Sequence, residues 1–139
     1  METQNFITGP VPPQILNYVN GWVARRADLV VSSMADGASY IDKPHAVVLK
    51  SGMKDHLEKV AWVNFPDMTF DTLRLIGGAN AYAWEWALHA SKCGVLVGGT
   101  SARKFYCEGV DILILNSEGQ IEQAICHLDR KALWDSVVN

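Results

Sequence analysis

At 139 residues, with 49% hydrophobic and 19% charged residues, the chain has ordinary globular composition and a length that suits one domain burying roughly two thirds of its unfolded surface. Its formal net charge of −3 argues against a nucleic-acid or anionic-membrane surface, since Arg25-Arg26 and Arg103-Lys104 are pairs and no longer basic run exists. No apolar run reaches the roughly 18 to 20 residues that span a bilayer, and Met1 to Gln14 lacks a basic start and an apolar signal core, so a soluble cytoplasmic protein is expected.

Residues 1–11 read as a flexible tail, because Gly9-Pro10 breaks regular structure, and residues 12–139 read as a single domain. Pro12-Pro13 opens a first helix whose apolar stripe is Ile15, Val19, Trp22 and Val23. Asp28 is the candidate N-cap of a second short helix through Met34, closed by Asp36-Gly37. Ala38 to Asp42 then reads as a strand, Lys43-Pro44-His45 as a turn, and Ala46 to Leu49 as the returning arm of a hairpin. Ser51 can cap a third helix with Met53, Leu57, Val60 and Ala61 on one face, ended at Phe65-Pro66-Asp67.

Beyond Met68 the period changes from helical to alternating. Met68 to Ile76 and Asn80 to Lys92 read as strands, the second placing Tyr82, Trp84, Trp86 and Leu88 on one face. After a Gly-rich connection, Ala102 to Leu115 and Gln120 to Asp129 form an antiparallel pair around the turn Asn116-Ser117-Glu118-Gly119. Lys131 to Val138 reads as a last helical turn. Helices first and antiparallel strands after them indicate an α+β domain. Val110 to Leu115 is apolar except at Asp111, so the strand is expected to be covered on both faces and to carry one carboxylate into a dry place. There Asp111 must be paired, hydrogen-bonded or held neutral. Cys93, Cys107 and Cys126 are odd in number and lack Cys-x-x-Cys spacing, so no disulfide framework is expected.

The order and spacing of Met34-Ala-Asp-Gly-Ala-Ser-Tyr-Ile-Asp42, Phe65-Pro-Asp67, Gly109-Val-Asp-Ile112 and Glu118-Gly-Gln-Ile121 resemble the SnoaL-like and ketosteroid-isomerase-like members of the nuclear transport factor 2-like superfamily. The resemblance implies a cone-shaped α+β barrel, three helices wrapped by a curved, mainly antiparallel mixed sheet around a hydrophobic pocket, with homodimers formed through the outer sheet face. It implies that Asp42 matches the carboxylate base of the isomerases, that Asp111 matches their protonated oxyanion donor, and that Tyr18 matches their phenolic donor, a pattern of separated carboxylate pKa values that is a known worked case. In SnoaL-type polyketide cyclases the Asp matching Asp129 is the acid/base of an aldol closure, and His127 lies two residues before it, on the same strand face.

Each assignment has a structural alternative: an Asx turn for Asp42, a buried hydrogen bond for Asp111, core-edge packing for Tyr18, and a hydrogen-bonded side chain for His127. Trp22, Trp62, Trp84, Trp86 and Phe105 are the expected pocket aromatics, although the Trp84/Trp86 face would also suit a dimer interface. Cys126-His127 are adjacent and face opposite ways, so no metal ligand set is read, and Gly94 to Gly99 lacks a phosphate-loop ending, so no cofactor is read. The expectation is a cofactor-independent isomerase, cyclase or dehydratase acting on a hydrophobic carbonyl compound of steroid-like or polyketide-like type. The alternative is a non-catalytic ligand-binding or dimeric interaction module on the same fold.

Overall fold

A computed structural model describes residues 4–7, 10–42, 46–92 and 102–129, and for residues 4–7, 92 and 102–105 only the backbone. The first helix, α1 (Pro13–Val23), starts on Pro13 as its first helical residue, where a missing N–H costs nothing. Its buried stripe is Ile15, Tyr18 and Trp22; Val23, placed on that stripe by spacing, is exposed, and Tyr18 takes the inward position. The chain leaves α1 through Arg25 at φ 56°, with Arg26 N–H returning to the Gly21 carbonyl. This reversal lays α2 (Ala27–Ser33) against α1. Asp28 sits inside the first turn of α2, paired with Arg26, and does not cap it. The helix ends earlier than Met34 because that residue already belongs to a strand, β2 (Met34–Asp42), with Gly37 at φ 78° within it.

β3 (Ala46–Leu49) pairs antiparallel with β2, as the hairpin reading expects. α3 (Lys50–His56) begins one residue before the expected Ser51 cap, passes into a π-helical turn at Leu57–Ala61, and ends in α4 (Trp62–Asn64). Met53 and Leu57 are fully buried as expected, whereas the wider turn leaves Val60 exposed and Ala61 half-buried. The remaining strands are β4 (Thr69–Gly78), β5 (Ala81–Lys92), β6 (Ala102–Leu115) and β7 (Ile121–Leu128). The β6–β7 turn holds Gly119 at φ 78°, and the Asn116 side-chain oxygen accepts from Glu118 and Gln120 N–H. Within the segment read as a tail, Gln4–Ile7 forms a strand, β1, parallel to β4. Cys93 and Lys131 to Val138 lie outside the described residues.

The strands form one seven-stranded mixed sheet in the order β1-β4-β5-β6-β7-β2-β3, so the domain is α+β with its helices on one face. Register places Asp42, Cys126, Asp111 and Trp84 side by side on β2, β7, β6 and β5, facing the helices. One residue out of phase, Val47, Ile41, Ile125, Ile112, Ala83 and Ile76 make an apolar row on the opposite face. Val110, Ile112 and Ile114 on that face are only half-buried, so among the described residues β6 is covered on one face and not on both. The helices can cover a single side of the sheet.

Candidate active site

Between the helices and the sheet lies a cavity of about 280 Å³. Its apolar wall is Trp22, Met68, Phe70, Trp84, Trp86 and Leu88, and its polar groups are Tyr40, Asp42, His56, Asn64 and Asp111 with the thiols of Cys107 and Cys126. Alternation along β5 puts Trp84 and Trp86 on the wall together, and Phe70 of β4 packs between them, 5.8 and 5.2 Å from the two rings. The aromatic strand face therefore turns inward. Trp84 fixes its indole by donating to Thr72 Oγ1 at 2.9 Å.

Asp111 is 3% exposed and both of its oxygens are engaged. The Tyr18 hydroxyl donates to Oδ2 at 2.7 Å and the Trp86 indole N–H donates to Oδ1 at 3.1 Å. Burial pushes the Asp111 carboxyl up to about 6, against the lowering effect of the Tyr18, Trp86 and Cys126 hydrogen bonds, with the Asp42 charge adding to the rise. Burial, then the Asp111 charge, holds the Tyr18 phenol well above its ordinary range, so Tyr18 stays an O–H donor. The pair spans α1 and β6, and the edge of Tyr18 meets Trp84 at 6.2 Å.

Gly109 makes this arrangement possible. It pairs with Trp86 across β5 and β6, and a Cβ there would stand 2.5 Å from Cζ2 and Cη2 of the indole and 2.7 Å from the His127 carbonyl oxygen. Gly109→Ala is therefore expected to displace Trp86 from Asp111 and to cost about 1 to 3 kcal/mol, read as a lowered midpoint in thermal unfolding. An unchanged midpoint would mean that the ring and strand can part without cost.

Asp42 lies half-buried at the end of β2 and lines the cavity, two strands from Asp111 with Cys126 between. His56, the last residue of α3, stands 5.5 Å from the Tyr40 ring. Burial lowers the His56 pKa, partly offset by the Asp42 charge. Burial also raises the Tyr40 phenol well above its usual value and the Cys107 thiol to about 11, so both stay protonated at neutral pH.

The structure thus brings together Tyr18, Asp111, Asp42, Trp22, Trp84 and Trp86. Tyr18 serves the site from behind: it is fully enclosed, lines no part of the cavity and is spent on Asp111. His127 is exposed on the other face of β7, and Asp129 is exposed just past its end, beside Cys107; neither lines the cavity. Alternation explains His127, since Cys126 and Leu128 take the inward positions. Trp62 packs behind Trp22 at 6.3 Å, under Arg25, and does not reach the cavity. The side chain of Phe105 lies outside the described residues. Among the wall residues that went unread in the sequence are Tyr40 and His56. Tyr40 is signalled by its place two residues before Asp42 on the same strand face, and His56 by standing three residues after inward-facing Met53. Among the described residues no group of three His, Cys, Asp or Glu could hold a metal ion, and no helix is long and apolar enough to cross a membrane.

Solved structures match over most of the chain. A proposed SnoaL-like polyketide cyclase from Jannaschia sp. CCS1 superposes with a TM-score of 0.77 at 17% identity, covering 94% of this chain and 95% of that one. The chain has a SnoaL-like fold. IdmH, a proposed polyketide cyclase from Streptomyces antibioticus, shares this SnoaL-like fold with a TM-score of 0.73 at 12% identity, covering 88% of this chain and 94% of its own. TerC, co-crystallized with polyporic acid, matches with a TM-score of 0.72 at 13% identity, covering 91% and 96%. No family model and no curated protein matches the sequence.

Proposed function

We propose that the chain is a cofactor-independent acid/base enzyme that moves a proton on a hydrophobic, carbonyl-containing small molecule of polyketide-like or steroid-like type. The observation that carries this reading is Asp111, a carboxylate on the wall of an aromatic cavity, held by Tyr18 and Trp86 and poised at about 6. A base near the working pH is ionised, yet still basic enough to accept a proton from an activated C–H. The two hydrogen bonds that Asp111 accepts favour its ionised form, which supports the part of a base over that of a neutral donor. Asp42 supplies a second carboxylate on the same wall. Isomerisation, aldol closure and dehydration all begin with this C–H proton removal, and fold-mates that include proposed polyketide cyclases favour the same substrate class.

The test is hydrogen–deuterium exchange of 2-tetralone, a planar apolar ketone with an activated C–H, followed by NMR in D2O. Exchange should rise with pH around about 6 and fall by about 10² to 10⁴ in Asp111→Asn. Exchange no faster than that given by an equal concentration of acetate would favour a ligand-binding module instead.

The same reading includes a homodimer. Among the described residues no helix lies over the row Val47, Ile41, Ile125, Ile112 and Ala83, and Val47 is 67% exposed. Ile125→Lys, at the middle of that row, is expected to yield monomers in light scattering with the far-ultraviolet circular dichroism unchanged. A parent protein that is already monomeric at high micromolar concentration removes the dimer from the proposal.

A further inference from the structure

The reading of Asp111 as base leaves open where the ligand's oxygen sits, because proton removal beside a carbonyl places negative charge on that oxygen and needs donors fixed there in advance. The donors on and around the wall can be taken in turn. The Trp84 indole is used on Thr72 and the Trp86 indole on Asp111. The Tyr18 hydroxyl is enclosed and donates to Asp111, and the buried Trp22 indole N–H is directed at that same hydroxyl. The Asn64 amide donates to the Val60 carbonyl at 2.7 Å. Besides the thiols of Cys107 and Cys126, which are weak donors, this leaves the Tyr40 hydroxyl on β2, bonded to the weakly accepting Cys126 thiol, and the imidazole of His56 on α3.

We infer that Tyr40 and His56 form the oxygen-binding pair of this cavity, donating O–H and N–H to the ligand's carbonyl and then to its enolate oxygen, while Asp111 takes the proton. The inference rests on the reading of Asp111 as base. The two rings stand 5.5 Å apart and tilted by 47°, held on separate elements, and both line the cavity that Asp111 lines. Burial keeps the phenol protonated and the imidazole neutral, and a neutral imidazole still carries one N–H. The groups whose charges bear on Tyr40 are Cys126, Asp111, Tyr18 and Asp42, and on His56 it is Asp42. In the step itself the C–H bond breaks and its proton goes to the Asp111 carboxylate. The C–H electron pair becomes the C=C bond, and the C=O π pair moves to oxygen, where Tyr40 and His56 meet it. Return of the proton from the Asp111 carboxyl to carbon closes the cycle without any further reactant. This division of labour makes Tyr18 a positioning residue for the base and moves the donor role to Tyr40 of β2 and His56 of α3.

The probe is 2-naphthol, whose oxygen mimics an enolate, with 2-methoxynaphthalene as a control that fills the cavity but cannot form the anion. Binding is followed at pH 7.5 by fluorescence, which also reports how much of the bound naphthol is naphtholate. Tyr40→Phe and His56→Ala should each weaken naphthol binding about tenfold and lower the naphtholate fraction, the scale of one hydrogen bond to a charged group. Tyr18→Phe should stay within about threefold, since its hydroxyl faces Asp111. Methoxynaphthalene should bind all four proteins alike, which verifies that the cavity survives each substitution. Loss of naphthol affinity in Tyr18→Phe alone, or naphthol binding no tighter than its methyl ether in the parent, overturns the inference. Tetralone exchange separates the two readings. Exchange with naphthol binding indifferent to Tyr40 and His56 sinks the donor pair and leaves the base. A Tyr40- and His56-dependent naphthol site without exchange sinks the base and leaves the pair as a ligand-binding feature.

Discussion

Asp111→Asn is expected to abolish proton transfer and, at the same time, to stabilise the fold at alkaline pH. The folded state raises the Asp111 carboxyl from 3.8 to about 6, chiefly by burial, so the native protein holds this proton more tightly than the unfolded chain does. The stability contributed by protonated Asp111 is therefore complete below about pH 4 and is lost as pH rises through about 6, where the native state must bury a charge. The shift corresponds to about 3 kcal/mol, an upper bound on what the neutral amide can recover. Melting temperatures of parent and variant should lie close near pH 4, differ by about half the full gap at pH 5, and diverge by several degrees in favour of the variant at pH 8, while exchange activity falls by about 10² to 10⁴. A variant equally destabilised at all three pH values would mean that Asp111 is a structural hydrogen-bond partner and carries no stored cost. A carboxylate that costs stability where it is ionised is what a working base would show and a purely structural residue would not.

Tyr18→Phe should act on the same group with the opposite sign. Its hydroxyl donates 2.7 Å to Asp111 Oδ2 in a fully buried setting and so favours the ionised carboxylate. Removing it is expected to raise the Asp111 pKa above about 6 and to move the acid limb of the exchange profile to higher pH. The stability loss should be about 1.5 to 3 kcal/mol at pH 8, where the lost bond was to a charge, and smaller at pH 5. Trp86→Phe should shift the profile in the same direction through Oδ1. Unmoved pH profiles in both variants would detach these donors from Asp111 in solution and leave its pKa to burial alone.

Strand β5 was legible because alternation is a local property: once Tyr82, Trp84, Trp86 and Leu88 share a face, that face must be buried. Asp111 was legible for a similar reason, as a carboxylate in an apolar run has to be satisfied somewhere. His127 and Asp129 were read as a pair on one strand face from their spacing, but Asp129 stands just past the end of β7, and spacing does not say which side of the sheet the helices take. A strand shifted by one residue presents the opposite set of side chains, and here Cys126 and Leu128 face in. The π-helical turn at Leu57–Ala61, which changes the face presented by Val60 and Ala61, left no readable mark in the sequence.

By itself, then, the sequence determined the element types and most of their order, the α+β class, the shared aromatic face of β5 and the need for partners around Asp111, because each follows from periodicity, breakers or the cost of a buried charge within a few residues. Only the tertiary structure decided that the aromatic face of β5 turns toward the helices, that Asp42, Cys126, Asp111 and Trp84 share one row, that Tyr18 is spent on Asp111, and that Tyr40 of β2 meets His56 of α3. Those are contacts between residues far apart in the chain, set by strand register and helix docking, and a linear pattern carries neither.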